Sequence, residues 1–139
     1  MSRLALVLLR RAGLWRPELS FPEFPNYHLR TNAFMSSRQV LRRVTIGAIS
    51  TKLSAYKFES GKDSLTNQVR RLGLRTLVVD RDGKAYEPGE WHLSNTFWQC
   101  AQQNLLVADN QTESYATSDS EGRVELSEHA WGNMGRPEI

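Results

Sequence analysis

Residues that could carry catalytic or metal chemistry are few in this sequence and widely separated. Cys100 is its only cysteine, and His28, His92 and His129 do not fall with it into a paired ligand spacing such as Cys-x-x-Cys. A nucleophilic cysteine needs a base within hydrogen-bond reach, and a structural zinc site needs four closely spaced ligands. We therefore expect Cys100 to be a packing residue, with no metal and no cofactor.

Carboxylates and glycines give no better indication of an enzyme. Glu87 and Glu90 flank Pro88-Gly89 and could be paired carboxylates, but acids around a turn usually form its solvated rim. The glycines are not grouped as in the loops that cradle phosphates. The sequence thus predicts a protein that is not an enzyme.

A cluster of basic residues is the candidate binding site. Its members are Arg70, Arg71, Arg75, Arg81 and Lys84. Arginine forks match phosphate geometry, so several together could hold an RNA backbone with little sequence preference. Alternatively, these cations pair with the nearby acids on a solvated face, and composition alone leaves both possibilities open. Those acids are Asp80, Asp82, Glu87 and Glu90.

The elements that must position this cluster begin with a β-hairpin. The strand-like runs 74–79 and 84–87 are separated by Asp80-Arg81-Asp82-Gly83, and Pro88-Gly89 ends the second run. Asp-Gly between two such runs is a strong hairpin signal, because glycine takes the positive φ that a tight turn requires.

A helix and a further strand are expected after the hairpin. Ser94 or Asn95 could cap a helix that runs to residue 103 or 104, and 105–108 is a short apolar run typical of a buried strand. One face of the helix should pack on Leu77 and Val79 to form the core. That face is Phe97, Trp98, Ala101 and Leu105. Together these elements predict a small single α+β domain with flexible termini.

Residues before the hairpin are harder to interpret. The apolar spacing from Ser36 to Ile49 favours a short amphipathic helix slightly over a strand, because the run Val44-Thr45-Ile46 is β-branched. Residues 54–66 show little periodicity and are expected to form a loop.

The N-terminus has the composition of a mitochondrial transit peptide. Residues 1–16 contain four arginines, five leucines and no acid, and Pro17 to Asn26 is a proline-rich spacer. A secretory signal peptide is the main alternative, but its apolar core would be only Leu4–Leu9 and would be followed directly by Arg10-Arg11. A basic first helix of the mature protein is the other alternative. Cleavage is expected between Arg30 and Ser37, and the protein is expected in the mitochondrial matrix.

The net charge changes from basic at the N-terminus to acidic at the C-terminus and divides the chain into three parts. Residues 1–43 carry eight arginines against Glu18 and Glu23, whereas residues 109–139 have a net charge of −5. We expect a presequence and spacer over 1–35, an α+β body over 36–109, and an acidic, largely irregular tail over 110–139, with Trp131 docked on the body. No run approaches the roughly 20 apolar residues that a membrane-spanning helix needs.

Residues 75–112 resemble the N-terminal domain of bacterial and mitochondrial translation initiation factor 3. The resemblance lies in the strand ending at Val79-Asp80, the turn to Gly83, the expected helix with Phe97, Trp98 and Ala101, and the run 105–107. It implies binding to the mitochondrial small ribosomal subunit through basic side chains, with no reaction catalysed. The alternative function is an accessory subunit or assembly factor of a respiratory-chain complex.

Overall fold

The computed structural model describes residues 20–135. In chain order they form helices α1 (Arg38–Leu41), α2 (Lys52–Ser60) and α3 (Leu65–Arg71), strands β1 (Val78–Val79) and β2 (Ala85–Tyr86), a 3-10 helix (Pro88–Leu93), helices α4 (Asn110–Thr117) and α5 (Ser120–Trp131), and a second 3-10 helix (Gly132–Gly135). Helices with a two-stranded antiparallel sheet confirm the α+β class. Within this part of the chain, no helix is long and apolar enough to cross a membrane.

Helix α1 confirms the expected helix only over its first turn. The hydroxyl of Ser37 accepts a hydrogen bond from the Val40 N–H at 3.2 Å and starts the helix, which ends at Leu41. The β-branched run that follows is not helical. Thr45 bonds instead through its N–H and its carbonyl to the side-chain amide of Gln68, at 2.8 and 3.1 Å. The side chain of Gln68, which is distant in sequence, thus satisfies the backbone groups of Thr45 that another helical turn would have used.

The loop expected over residues 54–66 is wrong, because α2 and α3 occupy most of it. Thr51 caps α2 by accepting the Ser54 N–H at 3.0 Å, and Ser64 caps α3 by accepting the Asn67 N–H at 3.4 Å. Such caps satisfy backbone donors at a helix start, so short polar helices can form without strong periodicity. Between them the helices bury a small aliphatic cluster. It comprises Val44, Leu65 and Val69, with Val40 and Phe58 packed against it.

The predicted hairpin is confirmed. Val78 pairs with Tyr86 and Val79 with Ala85, and the Asp80 N–H donates to the Lys84 carbonyl at 3.0 Å. Gly83 has a φ of +85°, as the tight turn requires.

The helix expected across residues 93–104 is wrong. This segment is a series of turns, and several of its non-glycine residues have positive φ, which no right-handed helix allows: Asn95, Trp98, Cys100 and Gln102. Its glutamines bind backbone groups that a helix would have used. Gln102 accepts the Trp98 N–H at 3.0 Å, and Gln99 accepts the Thr96 N–H at 3.2 Å. Local side-chain bonds of this kind compete with helix formation.

The strand expected over residues 105–108 is also wrong, and so is the predicted core. Leu106 and Val107 are exposed and pair with no strand of the described chain. Ala101 is exposed, and Val79 is 49% exposed, so the face predicted to pack there does not. The core is instead an aromatic cluster of Tyr86, Trp91 and Trp131. Packed against it are Tyr27, Leu29, Val78, Phe97 and Ala130.

The acidic tail is not irregular over residues 110–131. Asp109 caps α4 by accepting the N–H groups of Gln111 and Thr112, and Asp119 caps α5 by accepting the Gly122 N–H. Aspartate at a helix start satisfies orphan donors and favours the positive end of the helix dipole. Trp131 is 7% exposed, which confirms that it docks on the body.

The folded body also begins earlier than residue 36. Residues 20–32, called here the N-terminal strap, run as mostly irregular chain across the body and contact helices on both sides of the hairpin. Residues 20–32 therefore contact the body although they precede the expected boundary at residue 35, and the expected presequence stays a prediction. The expected presequence helix, residues 1–16, lies outside the described residues, as do residues 136–139.

Candidate nucleic-acid interface

The five basic residues predicted as the site, called here the hairpin cations, are all exposed. Arg70 and Arg71 end α3, Arg75 lies before β1, Arg81 is in the turn, and Lys84 immediately precedes β2. Each is thus accessible, but their surroundings differ from one to the next.

Two of the hairpin cations are ion-paired within the chain. Arg71 pairs with Asp63, and Arg75 pairs with Glu87 at 2.6 Å between Nη1 and Oε1. Glu87 is among the acids expected as partners, whereas Asp63 was not foreseen. Exposed pairs contribute only about 0–1 kcal/mol each, but the acids lower the positive potential that a phosphate would meet.

The remaining hairpin cations make weaker local contacts. Arg81 donates from Nη1 to the Gln103 carbonyl at 3.4 Å. Arg70 lies 5.8 Å from the Trp91 ring centroid, and Lys84 Nζ lies 4.6 Å from that of Tyr86. Cation–π contacts at exposed sites contribute about 0.5–1 kcal/mol and leave the charge accessible.

Among the described residues Asp80 forms no ion pair with these cations, because the hairpin itself uses its carboxylate. Oδ1 accepts the N–H groups of Asp82 and Lys84 at 3.0 and 2.9 Å, and Oδ2 accepts the Tyr86 hydroxyl at 3.1 Å. Desolvation by burial raises the pKa of Asp80, but these bonds and the Lys84 charge outweigh it and hold the pKa below its ordinary value. The carboxylate stabilises the turn.

A second set of basic residues lies on α1 and α2 and in the segment that directly follows α1. We call it the α1–α2 basic surface and define it as Arg38, Arg42, Arg43, Lys52 and Lys57. Val40 of α1 and Phe58 of α2 pack on the aliphatic cluster, so both helices lie against it. All five side chains are exposed.

The α1–α2 basic surface differs from the hairpin in having a single acid within residues 38–60, Glu59, whose carboxylate accepts the Thr31 N–H. Residues 24–58 contain no aspartate or glutamate, and within the described chain none of the five cations forms an ion pair. Charges of one sign that lack counter-charges produce a field that attracts polyanions. The sequence signal was present as this acid-free stretch, but part of it was assigned to a presequence.

Aromatic and apolar side chains are exposed among these cations. Phe34 and Tyr56 are 46% and 47% exposed, and Lys52 Nζ lies 5.6 Å from the Tyr56 ring centroid. Ile46 and Ile49 are 59% and 48% exposed. An open groove of about 260 Å³ lies between residues 45–49 and α2, and both Lys57 and Asp63 line it. Exposed rings between cations are the combination on which single-stranded nucleic acid stacks.

Arg30 shows what an arginine does here when it has a structural role. Its Nη2 donates to Asp109 and Gln111, both at 2.7 Å, and its guanidinium stacks 3.7 Å from the Phe97 centroid. Desolvation lowers its pKa, against the opposing influence of Asp109 and Glu59. This side chain is not available to a partner.

No catalytic arrangement is assembled by the residues considered for chemistry. The expectation that Cys100 is a packing residue is wrong, because Cys100 is exposed. Its backbone has a positive φ, and its carbonyl accepts the Tyr115 hydroxyl at 3.1 Å. Glu90 accepts the Glu87 N–H at 3.3 Å, which places it at the start of a 3-10 helix. Among residues 20–135, no group of three or more histidine, cysteine, aspartate or glutamate side chains could hold a metal ion.

Comparisons with known proteins add no relative: no family model, no curated protein and no solved structure matches this chain. Of the elements that carry the resemblance to initiation factor 3, the structure contains the hairpin but not the helix or the strand after it. The resemblance itself stays a prediction.

Proposed function

We propose that this protein is a non-catalytic RNA-binding protein of the mitochondrial matrix that binds the small ribosomal subunit through the α1–α2 basic surface. The observation that carries the proposal is the set of exposed, unpaired cations on an acid-free segment. The hairpin cations remain a predicted secondary contact, reduced by their intramolecular partners.

Phosphate chemistry supports this choice of ligand. Arg38, Arg42 and Arg43 present guanidinium forks that match phosphate oxygens in pairs, while Lys52 and Lys57 act as point charges. Phe34 and Tyr56 add stacking faces, each worth about 1–3 kcal/mol per base when a base lies on it. Cations together with exposed aromatic rings favour the binding of single-stranded RNA without sequence preference.

The mitochondrial address rests on the arginine-rich start of the chain. Residues 1–16 carry Arg3, Arg10, Arg11 and Arg16 with no acid, and such segments respond to a negative-inside potential.

Salt dependence tests the RNA proposal. Affinity of the purified chain for a fluorescent single-stranded RNA, and its co-sedimentation with mitochondrial small subunits, would be measured from 50 to 300 mM KCl. The plot of log affinity against log salt should fall by about 0.7 for each phosphate contact on single strands, so three to five contacts predict a slope of about −2 to −3.5. A flat plot, or no co-sedimentation at any salt concentration, would contradict the proposal.

A second candidate function is supported by exposed aliphatic side chains. Met35, Ile46 and Ile49 are 99%, 59% and 48% exposed and would be buried in a protein–protein interface. This observation favours an accessory subunit or assembly factor of a respiratory-chain complex. Co-migration with such a complex that persists at high salt would support it over RNA binding.

A further inference from the structure

The N-terminal strap is bound to the body by hydrogen bonds along most of its length. The Ser20 carbonyl accepts the Lys62 N–H at 2.9 Å, and Asn26 Nδ2 donates to the Ser60 carbonyl at 2.6 Å. Further along, the Leu29 N–H donates to Thr66 Oγ1 at 2.7 Å. These bonds attach the strap to α2, to the start of α3 and to the segment between them.

The strap also closes the aromatic cluster from the other side. The Tyr27 hydroxyl donates to the Trp131 carbonyl at 2.9 Å, and the two rings lie 5.6 Å apart. Leu29 packs on the same cluster. Phe24 lies beside Gly132: a Cβ added to Gly132 would lie 3.5 Å from the Phe24 ring, in van der Waals contact.

Its C-terminal end makes the charged contacts. Arg30 pairs with Asp109, and the Asn32 side chain donates to the same carboxylate at 2.6 Å. The Thr31 N–H donates to Glu59 at 2.8 Å. The strap therefore links α2 and α3 to Asp109, the residue that caps α4. Along the chain, residues 72–108 separate α3 from Asp109.

Cleavage between Arg30 and Ser37, the position expected from sequence, would detach these contacts from the body. Residues 32–39 are exposed, so a protease could reach that bond in the folded state. The product would lack the partners of Trp131, Asp109 and Thr66. A processing site at that position would leave these contacts without a covalent link between the strap and the body.

We propose that proteolytic maturation of this chain occurs before Ser20, so that residues 20–32 remain in the mature protein as a structural strap. The inference rests on the mitochondrial import proposed above. A processing endoprotease would add water across one peptide bond in residues 1–19, leaving a carboxylate on the released segment and a new amino terminus on the body. The released part would carry the acid-free run with Arg3, Arg10, Arg11 and Arg16.

The full chain with a C-terminal tag, imported into isolated mitochondria, tests the position of the cut. Mass spectrometry of the new terminal peptide should identify one main form that starts at or before Ser20 and is shorter than the 15.9 kDa precursor. A main form that starts after Ser20, or a full-length chain that persists inside mitochondria, would overturn the inference. Neither result depends on RNA affinity, so this failure is distinguishable from failure of the RNA proposal.

Two full-length variants test the structural role of the strap. Tyr27→Ala removes the ring and the bond to Trp131 and should lower the melting temperature by about 10 °C or more. Tyr27→Phe keeps the ring and loses only the hydroxyl, so its shift should be less than half as large. A Tyr27→Ala protein that melts at the wild-type temperature would show that the strap is dispensable, and would remove the basis for the boundary.

Discussion

Polar and charged groups have opposite surroundings in two regions of this molecule. In residues 80–131, Asp80, Gln99, Gln102 and Asp109 are each bonded to two or more groups of the chain. On the α1–α2 basic surface, the cations point to solvent and form no ion pairs within the described residues. The first region uses its polar groups to hold the fold, whereas the second keeps its charges available for a partner.

This difference predicts that substitutions in the first region change stability and that substitutions in the second change binding. Buried polar groups stabilise a fold only when they are paired, and removal of one partner leaves the other unsatisfied. Exposed unpaired cations contribute little to folding, but they determine the attraction of a polyanion.

Trp131→Ala should have the largest effect on stability. The side chain is buried among Tyr86, Trp91 and Tyr27, and its indole N–H donates to the Phe97 carbonyl at 2.8 Å. Truncation of a buried tryptophan costs about 3–5 kcal/mol, which is a large part of the stability of a small domain. Urea unfolding followed by circular dichroism measures it. A loss below about 1 kcal/mol would mean that the tail is not part of the core.

Gln102→Ala should have the next largest effect. Its amide accepts the Trp98 N–H at 3.0 Å and donates to the Thr112 carbonyl at 2.9 Å, so both backbone groups would lose their partner. We expect a loss of about 1–3 kcal/mol in urea unfolding. The exposed neighbour Gln103 provides a matched control, and Gln103→Ala should stay within about 0.5 kcal/mol of wild type. Equal effects at the two positions would refute the polar network.

Acid should destabilise the first region through Asp109. Desolvation by burial raises the pKa of this carboxyl. The hydrogen bonds from Thr112 and Gln111 and the charge of Arg30 outweigh that effect, so the pKa lies below its ordinary value. The folded state then binds this proton less readily than the unfolded state. Its stabilisation is present above the unfolded pKa and is lost as the pH falls through the lower folded pKa. Melting temperatures from pH 6 to pH 2.5 should decline less steeply for Asp109→Asn; parallel curves would contradict this.

Substitutions on the α1–α2 basic surface should have the smallest effect on stability. Arg38, Arg42 and Arg43 replaced together by glutamine should change the unfolding free energy by no more than about 0.5 kcal/mol per site. The same urea measurement checks this expectation. A larger loss would show that these side chains support the fold, contrary to the comparison between the two regions.

The hairpin was predictable from sequence because its signal is local. Asp80 to Gly83 contain both the turn chemistry and the positive-φ residue, and the strands lie immediately on either side. The helix caps at Ser37, Thr51 and Ser64 are local signals too. Only the segment after Ser37 also has helical apolar spacing, so the sequence predicts that helix and not the other two.

Residues 93–108 and the strap were not predictable by the same reasoning. Phe97, Trp98 and Ala101 have helical spacing, yet Gln99 and Gln102 bind the backbone and force left-handed turns there. The strap has no secondary-structure signal, and its place depends on partners such as Thr66, Asp109 and Trp131 that lie far along the chain. Charge counts also do not show which cations are ion-paired, so the sequence did not distinguish the hairpin cations from the α1–α2 basic surface.

The central claim, that unpaired cations rather than paired ones bind RNA, is tested by comparing two triple variants of equal charge change. One replaces Arg38, Arg42 and Arg43 with glutamine, and the other replaces Arg70, Arg71 and Arg75. In the RNA titration, the first should weaken binding at least tenfold and flatten the salt slope by about 2, while the second should weaken it by less than half as much on a logarithmic scale. Equal losses, or a larger loss for the second variant, would contradict the account.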